Sequence, residues 1–421
     1  MTAVLIGLSS AFALGAVPAQ AGQAAVGGKP AATGTPLVPD QRPQPAVQRV
    51  DLGELATGER CTPTPASSSL RAQGVAETCT KIVRSTTTAA LVDPPTASCR
   101  TNRPGYWTYQ RLSSCMKDME TTFKLKDRRG RTLGTGRMKV NTSMKLSASS
   151  GTWNENISVK LDKVTGQVRK LNVAFDAKCT SACSMRKKSP WSGAKTLTLG
   201  EIAKGKVTYG ATPPSGRKDF LTTKYHMNVT MPGAIPVQPN VNWDNPRKIR
   251  CDNQITGSPG CVHADVRPNL VLSLSRYGAA AATYLWAQQN LPDGWGYRTP
   301  LRRMAGDSEP HRRKTCGDRS SDPFVPMPDH VPNDSCDEFP FAATHEGGRD
   351  GALCADILPK FENGQWQVYE ARTDKPVKMT EQCVRGHVPL DDNRDAGGEL
   401  GRFASGQRVL DTEKYTLTIT N

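Results

Sequence analysis

Aromatic residues make up only 6% of this 421-residue chain, and apolar types together only 37%. Beyond the first 21 residues no apolar run approaches the ~20 residues that a helical membrane span needs, which excludes a polytopic membrane protein. Acidic residues are scarce in the first part. Residues 1–240 hold 14 Asp and Glu against 33 Lys and Arg, whereas residues 241–421 hold 25 against 22. No internal repeat runs through the chain, so a coiled coil, a collagen or a solenoid is excluded. GxSxG, HExxH, P-loop and dinucleotide fingerprints are all missing, and with them the usual signatures of those enzyme classes. Among the cysteines only Cys179 and Cys183 are closely spaced, with no second close pair beside them. A structural zinc site is therefore not expected.

The chain is rich in turn formers, with 37 Gly and 31 Pro, and it carries a net charge of +16 with a pI near 9.4. Such a balance favours polyanionic partners: nucleic acid, an anionic cell-wall polymer or acidic lipid. The 12 cysteines fall into neighbouring pairs: 61/79, 99/115, 179/183, 251/261, 316/336 and 354/383. Nearest-neighbour disulfides are the simplest pairing, and they suit an oxidising compartment. An apolar stretch from Val4 to Val17 precedes Ala19-Gln20-Ala21, a small-x-small cleavage site. Residues 1–21 read as a secretory signal peptide and the protein as extracellular; the alternative, a membrane anchor, is broken by Ser9, Ser10, Gly15 and Pro18. Residues 22–60, rich in Ala, Gly, Pro and Thr, read as a flexible linker.

Residues 61–235 read as a basic β-rich domain. From Tyr106 onward apolar and polar residues alternate, as in Thr122–Lys126, Met138–Val140, Met144–Leu146, Ile157–Leu161 and Leu171–Phe175, with turns such as Asp127–Gly130 between them. Short alternating segments at this spacing predict an antiparallel β-sandwich-like domain. Lys124, Lys126, Lys139, Lys145, Lys160 and Lys170 occupy outward positions, which predicts a positive stripe on one sheet face. The four prolines between Pro232 and Pro246 mark a boundary, with a second domain over 240–421. Its clearest helical signal lies between Pro268 and Leu291.

Two clusters in that second part carry chemistry. The first runs from Ser335 through Cys336, Asp337, Glu338, Phe339-Pro340-Phe341 and His345-Glu346 to Gly348. The second runs from Leu390 through Asp391, Asp392, Asn393, Arg394 and Glu399 to Arg402 and Phe403. Carboxylates and an amide at the mouth of a helix suit a hard divalent cation. Arg349, Arg394, Arg402 and Arg408 suit phosphate, with Arg312-Arg313-Lys314 either a phosphate clamp or a solvated loop. Each has a plainer reading. Asp337 and Glu338 fit a solvated turn beside a disulfide, Glu346 a cap on the Gly347-Gly348 turn, Asn393 a helix N-cap, and Asp391 and Asp392 a first-turn dipole preference.

Cys-Asp-Glu-Phe-Pro-Phe-Ala followed by Glu-Gly-Gly, then Asp-Asn-Arg, a helix and a final strand, resembles the secreted bacterial NucA/NucB-type deoxyribonucleases. The resemblance covers roughly 245–421 and is strongest over 335–348 and 389–410. It implies an α+β chain in which a small, disulfide-stapled ββα-metal-like nuclease domain follows the β-sandwich-like one. It also implies Asp337 as general base; the crowding of Asp337 with Glu338 and Glu346, which would raise the pKa of at least one of them, makes these three the catalytic candidates. Asn393 takes a metal-facing place at the helix start. The helical metal carboxylate has no matching residue, and Glu399 is the nearest substitute. The activity implied is sequence-non-specific hydrolysis of DNA, or of RNA, by a monomeric endonuclease that uses Mg2+ or Mn2+. The alternative is a non-catalytic secreted protein that binds a polyanion or the cell wall and carries a degenerate nuclease module.

Overall fold

The computed structural model describes residues 58–83, 104–231, 241–255 and 257–421, together with the backbone of the short strands Thr35–Pro36 and Gln48–Val50. The expected signal peptide, most of the expected linker, residues 232–240 of the proline-rich stretch and Cys99 lie outside the described residues. The chain is mostly β, with few helices.

In the N-terminal part the alternating segments form longer strands than their apolar runs suggest. Met138–Val140 and Met144–Leu146 fuse into one strand, Thr132–Lys145, and its neighbours Ser113–Lys126 and Thr152–Gly166 are as long. Register shifts at Met116/Met119, Leu125/Lys126 and Arg137/Met138 let these strands curl. The expected turn at 127–130 is present: the Asp127 carboxylate accepts the backbone N–H groups of Arg129 and Arg131, and Gly130 supplies the positive φ. The strands build an antiparallel nine-stranded sheet, with a four-stranded sheet of Lys195–Thr198, Lys170–Cys179, Thr223–Thr230 and Val241–Asp244 beside it.

One apolar core serves both sheets. Trp107 of the larger sheet stacks on Tyr225 of the smaller, with ring centroids 6.0 Å apart. Within this core lies a wholly buried carboxylate, Glu155. It accepts the hydroxyl protons of Tyr209 at 2.7 Å and Tyr225 at 2.9 Å, and burial pushes its pKa up to about 7.

Residues 241–262 belong to this first core. Val241–Asp244 pairs with Thr223–Thr230, Ile249–Asp252 pairs with Lys218–Leu221 and Gly260–Val262, and Trp243, Ile249, Cys251 and Cys261 are buried with the β-region's side chains. The second core begins at Leu270.

The C-terminal part is a disulfide-rich α/β region. Gln365–Glu370, Cys354–Glu362, Cys383–Pro389 and Asp334–Phe339 lie side by side in one sheet, with Asp334–Phe339 at its edge. The expected helical span divides. Asn269–Ser273 is a strand, parallel to the last strand Lys414–Thr420, and the helix follows as Leu274–Asn290. Its Ala279–Ala282 run is wholly buried, because small side chains let the helix settle closely on the sheet. Thr283 fits against Gly386, where an added Cβ would lie 2.2 Å from the Thr283 hydroxyl. The helix kinks at Gly278 (φ 45°), and the Asp392 carboxylate caps the resumed turn by accepting the Ala279 N–H at 3.0 Å.

Disulfides join Cys61–Cys79, Cys179–Cys183, Cys251–Cys261, Cys316–Cys336 and Cys354–Cys383. Cys115 is disulfide-bonded as well.

A buried ionic network joins the two parts. Arg408, fully enclosed, donates from Nε to Asp252 Oδ1 at 2.8 Å and from its other nitrogens to the carbonyls of Ala148, Asp252 and Ser258. Arg250 reaches Asp252, Glu413 and the Arg408 carbonyl, and Arg111 donates to the carbonyls of Gln407 and Arg408. Arginines of the β-region thus take the free carbonyls just past the last helix, Leu390–Gly406.

Candidate active site

The edge strand Asp334–Phe339 and the helix Leu390–Gly406 border a cleft of about 730 Å³. Asp337, Glu338, Asn393 and Arg394 all line it, joined by Tyr284, Arg303 and Arg312. Asp337 pairs in register with Gly386 of the neighbouring strand, and its carboxylate turns toward the buried helix. There the Tyr284 hydroxyl donates to it, 2.9 Å from Oδ1 and 2.8 Å from Oδ2. Phe339 and Phe341 hold the Tyr284 ring, with centroids 5.4 and 4.9 Å away. Burial first, and then the neighbouring charge of Glu338, push the Asp337 pKa well above the usual carboxylate range, against the opposing pull of the Tyr284 hydroxyl. Glu338, also buried, is pushed up to about 7 by burial, with the Arg312 guanidinium 3.9 Å away pulling it down.

Asn393 ties helix to strand. Its Nδ2 donates to Ser335 Oγ at 3.1 Å and to the Cys336 carbonyl at 3.0 Å, and its Oδ1 has no hydrogen bond among the described residues. Arg394 is exposed at the rim. Arg312 comes from the short helix Glu309–Thr315, which the Cys316–Cys336 disulfide fastens to the edge strand.

Other expected site residues stand elsewhere. Glu346 is buried but faces Arg302, accepting its backbone N–H and its Nε–H, each at 2.7 Å. Glu399 lies outside the cleft and ion-pairs with Arg402, which is exposed. Six residues after Asn393, it falls on another face of a helix with 3.6 residues per turn. The cleft face of that helix carries Gly397, Leu400, Gly401 and Ala404 instead. Arg349 is exposed and does not line the cleft; only its carbonyl is engaged, by Thr315. His387 sits on the strand Cys383–Pro389, 2.6 Å from Asp334.

Sequence reasoning missed Tyr284 and Arg303 as site residues, whereas Arg312, read as part of a phosphate clamp or a solvated loop, does line the cleft. Tyr284 had a legible signal: a hydroxyl in the middle of an Ala-rich buried helix must find a polar partner.

The donors that line the cleft are oxygens, two carboxylates and an amide. That set fits Mg2+ or Mn2+, which keep several waters and take one or two carboxylates plus substrate phosphate. Only two groups of three His, Cys, Asp or Glu among the described residues lie close enough to share an ion: Glu59–Cys61–Cys79 and Cys316–Cys336–Glu338. Each contains a disulfide, whose sulfurs have no thiolate to offer.

Residues 296–367 match the family model "Deoxyribonuclease NucA/NucB". The match takes in the edge strand and the Glu-Gly-Gly turn and ends before the helix Leu390–Gly406. No curated protein matches the chain. Among solved structures, a cryo-EM reconstruction of E. coli alpha-2-macroglobulin in its native conformation is 11% identical, with a TM-score of 0.19. That likeness covers 33% of this chain and 9% of the other, and nothing about fold or function follows from it. The C-terminal part of the chain carries a NucA/NucB deoxyribonuclease domain at residues 296–367.

Proposed function

We propose that the protein is a secreted, metal-dependent endonuclease that hydrolyses phosphodiester bonds of DNA without reading sequence. The observation that carries this is the buried Asp337 beside Tyr284, opening onto a cleft that also presents Glu338, Asn393, Arg312 and Arg394. We read the antiparallel strands Asp334–Phe339 and Cys383–Pro389, with the helix that follows them, as a ββα-metal arrangement. The two curled sheets of the β-region read as sandwich-like. The disulfides and the family match support export.

Water attacks phosphorus, the bond to the 3′ oxygen breaks, and the water's proton passes to the Asp337 carboxylate. The Tyr284 hydroxyl holds that carboxylate in place and favours its ionised form. A raised pKa makes it the stronger base once deprotonated. Arg312 and Arg394 take the non-bridging phosphate oxygens. Glu338 and the Asn393 amide oxygen are the groups that would hold a divalent cation. When bound, such an ion neutralises phosphoryl charge and stabilises the leaving 3′ oxygen.

One observation favours a degenerate, binding-only module: the helix presents glycines to the cleft where a metal carboxylate would stand. A plasmid-nicking assay decides between the readings. The purified chain should nick DNA with Mg2+ or Mn2+, stop with EDTA, and lose about 10²–10⁴ in rate in Asp337→Asn. An inert wild-type chain, or a fully active Asp337→Asn, would refute the proposal.

A further inference from the structure

The outward face of the nine-stranded sheet carries a patch of lysines without ion-pair partners. On Thr132–Lys145, Thr152–Gly166 and Ile202–Gly210 burial alternates residue by residue, so one set of side chains points away from the core. That set includes Lys139 and Lys145, Lys160, and Lys204 and Lys206. The ladder places Lys139 directly opposite Lys160, Lys204 opposite Ser158, and Lys206 opposite Asn156. Like charges directly across a ladder destabilise it. None of the five lysines makes an ion pair among the described residues. The nearby acids Asp162 and Glu120 are both ion-paired to Arg137. Glu120 also stands opposite Lys139 in the ladder, and Asp162 feels the charges of Lys139 and Lys160. The net excess of positive charge on this face therefore comes from Lys145, Lys204 and Lys206 together with that pair.

The structure also redraws the stripe expected from sequence. Lys124 and Lys126 are both ion-paired to Glu59, at 3.0 and 2.5 Å. Lys170 belongs to the other sheet. Lys204 and Lys206 join through a strand that pairs from the far side. Between the lysines lies a shallow depression of about 480 Å³, lined with Asn141, Ser143, Asn156 and Ser158. These neutral groups supply hydrogen bonds beside the charges.

We propose that this face is a second, non-catalytic nucleic-acid surface that holds the phosphate backbone of duplex DNA through Lys139, Lys145, Lys160, Lys204 and Lys206. The choice of DNA as the polyanion rests on the nuclease reading of the C-terminal part. Charge supports the division of labour. Residues 241–421 hold 22 basic against 25 acidic residues, so that part gives a polyanion little long-range attraction, whereas residues 1–240 hold 33 against 14. A substrate held on one surface of a chain is presented to the other at raised effective concentration. Lysine heads are point charges without the fork of arginine, so this surface positions a duplex and reads no bases.

The test uses the full chain with EDTA present, so that binding is read apart from cleavage. Duplexes of unrelated sequence should bind equally, and the variant K139Q/K160Q/K204Q/K206Q should bind at least tenfold more weakly at low salt. Its log–log salt slope should be shallower by about 3–4, at roughly 0.9 per phosphate contact. The same four positions changed to arginine should keep the wild-type slope, which separates lost charge from lost fold. If the glutamine variant misfolds by near-ultraviolet circular dichroism, K204Q/K206Q should still lower the slope by about 2. With Mg2+ added, the glutamine variants should lose activity on long DNA and keep it on short oligonucleotides. Unchanged affinity and slope in a folded variant would overturn the proposal. So would lysine-dependent binding of teichoic acid with DNA binding unaltered, which would give the face to a wall polymer. Lysine-dependent DNA binding by a chain that cuts nothing would leave this surface standing and remove the nuclease reading; unchanged binding by a chain that cuts would do the reverse.

Discussion

Each half of the molecule buries a carboxylate that accepts from tyrosine, and the two settings differ. In the β-region Glu155 accepts from Tyr209 and Tyr225 inside a closed core. In the C-terminal region Asp337 accepts, among the described residues, from Tyr284 and borders an open cleft. Burial raises both acids above their usual range. A raised carboxylate pKa therefore does not by itself distinguish the two settings. Access for substrate and cations at the rim make the difference: Arg312 and Arg394 stand at one site, and tyrosine, threonine and aliphatic side chains surround the other.

The sharpest break of this comparison pairs Asp337→Asn with Glu155→Gln. The first should cost about 10²–10⁴ in cleavage rate with little change in melting temperature. The second should leave cleavage intact. A Glu155→Gln variant with normal stability and no activity would erase the distinction.

Next in size is the junction between the halves. Arg408→Met removes one of the two arginine partners of buried Asp252 and the donor to the carbonyls of Ala148, Asp252 and Ser258, and breaking such a buried network typically costs about 3–5 kcal/mol. Urea unfolding should show that loss. The same network makes a fragment that starts at residue 240 a poor catalytic unit, since residues 241–262 belong to the β-region's core. A fragment starting near residue 266 loses Arg111, Arg250 and Asp252 together, and should be less stable than the nuclease half is within the full chain.

Tyr284→Phe probes the link between tyrosine and carboxylate. The hydroxyl favours the ionised form of Asp337, and a hydrogen bond to a charged group is worth about 1.5–3 kcal/mol. Its loss should cut the rate about 10–100-fold near neutral pH and shift the rising limb of the pH–rate profile to higher pH. Tyr225→Phe, the counterpart in the β-region, should lower stability and leave the profile in place. A Tyr284→Phe profile that superimposes on the wild type would detach the hydroxyl from the chemistry.

The smallest effect concerns Glu155 and pH. Its carboxyl has an ordinary value of 4.5 and rises to about 7 in the fold. Between those values the folded chain holds a proton that the unfolded chain has released. The stabilisation from this group is complete below pH 4.5 and is lost as pH rises through 7, at no more than ~1.4 kcal/mol per pH unit. Glu155→Gln should flatten that slope in chemical denaturation at fixed pH values across the window.

Much of the β-region was legible as alternation, since a sheet with one buried face writes its period into the chain. Strand length was less so, because register shifts let Thr132–Lys145 run on through positions where the apolar pattern lapses. The helix start was misplaced for a related reason. Leu270 and Leu272 are equally apolar on a strand or on a helix turn, and pairing with Leu417 and Ile419 of the last strand decides between them. The limit of the first core was obscured by prolines in 232–246, which look like a linker although Val241 and Trp243 after them are buried with the β-region.

By itself the order of residues determined the charge asymmetry, the alternating strands and the motif around Asp337. Those features depend on composition and on neighbours close along the chain. Only the tertiary structure decided which acids face the cleft. Glu346 and Glu399 are near the motifs in sequence, yet each turns to an arginine outside the cleft, while Tyr284, 53 positions before Asp337, supplies the carboxylate's hydrogen bond. It likewise decided which lysines lie in ion pairs, since Glu59 reaches Lys124 and Lys126 from 65 or more positions away. Burial and ion pairing are set by what the fold brings within a few ångströms, and those partners are remote in the chain.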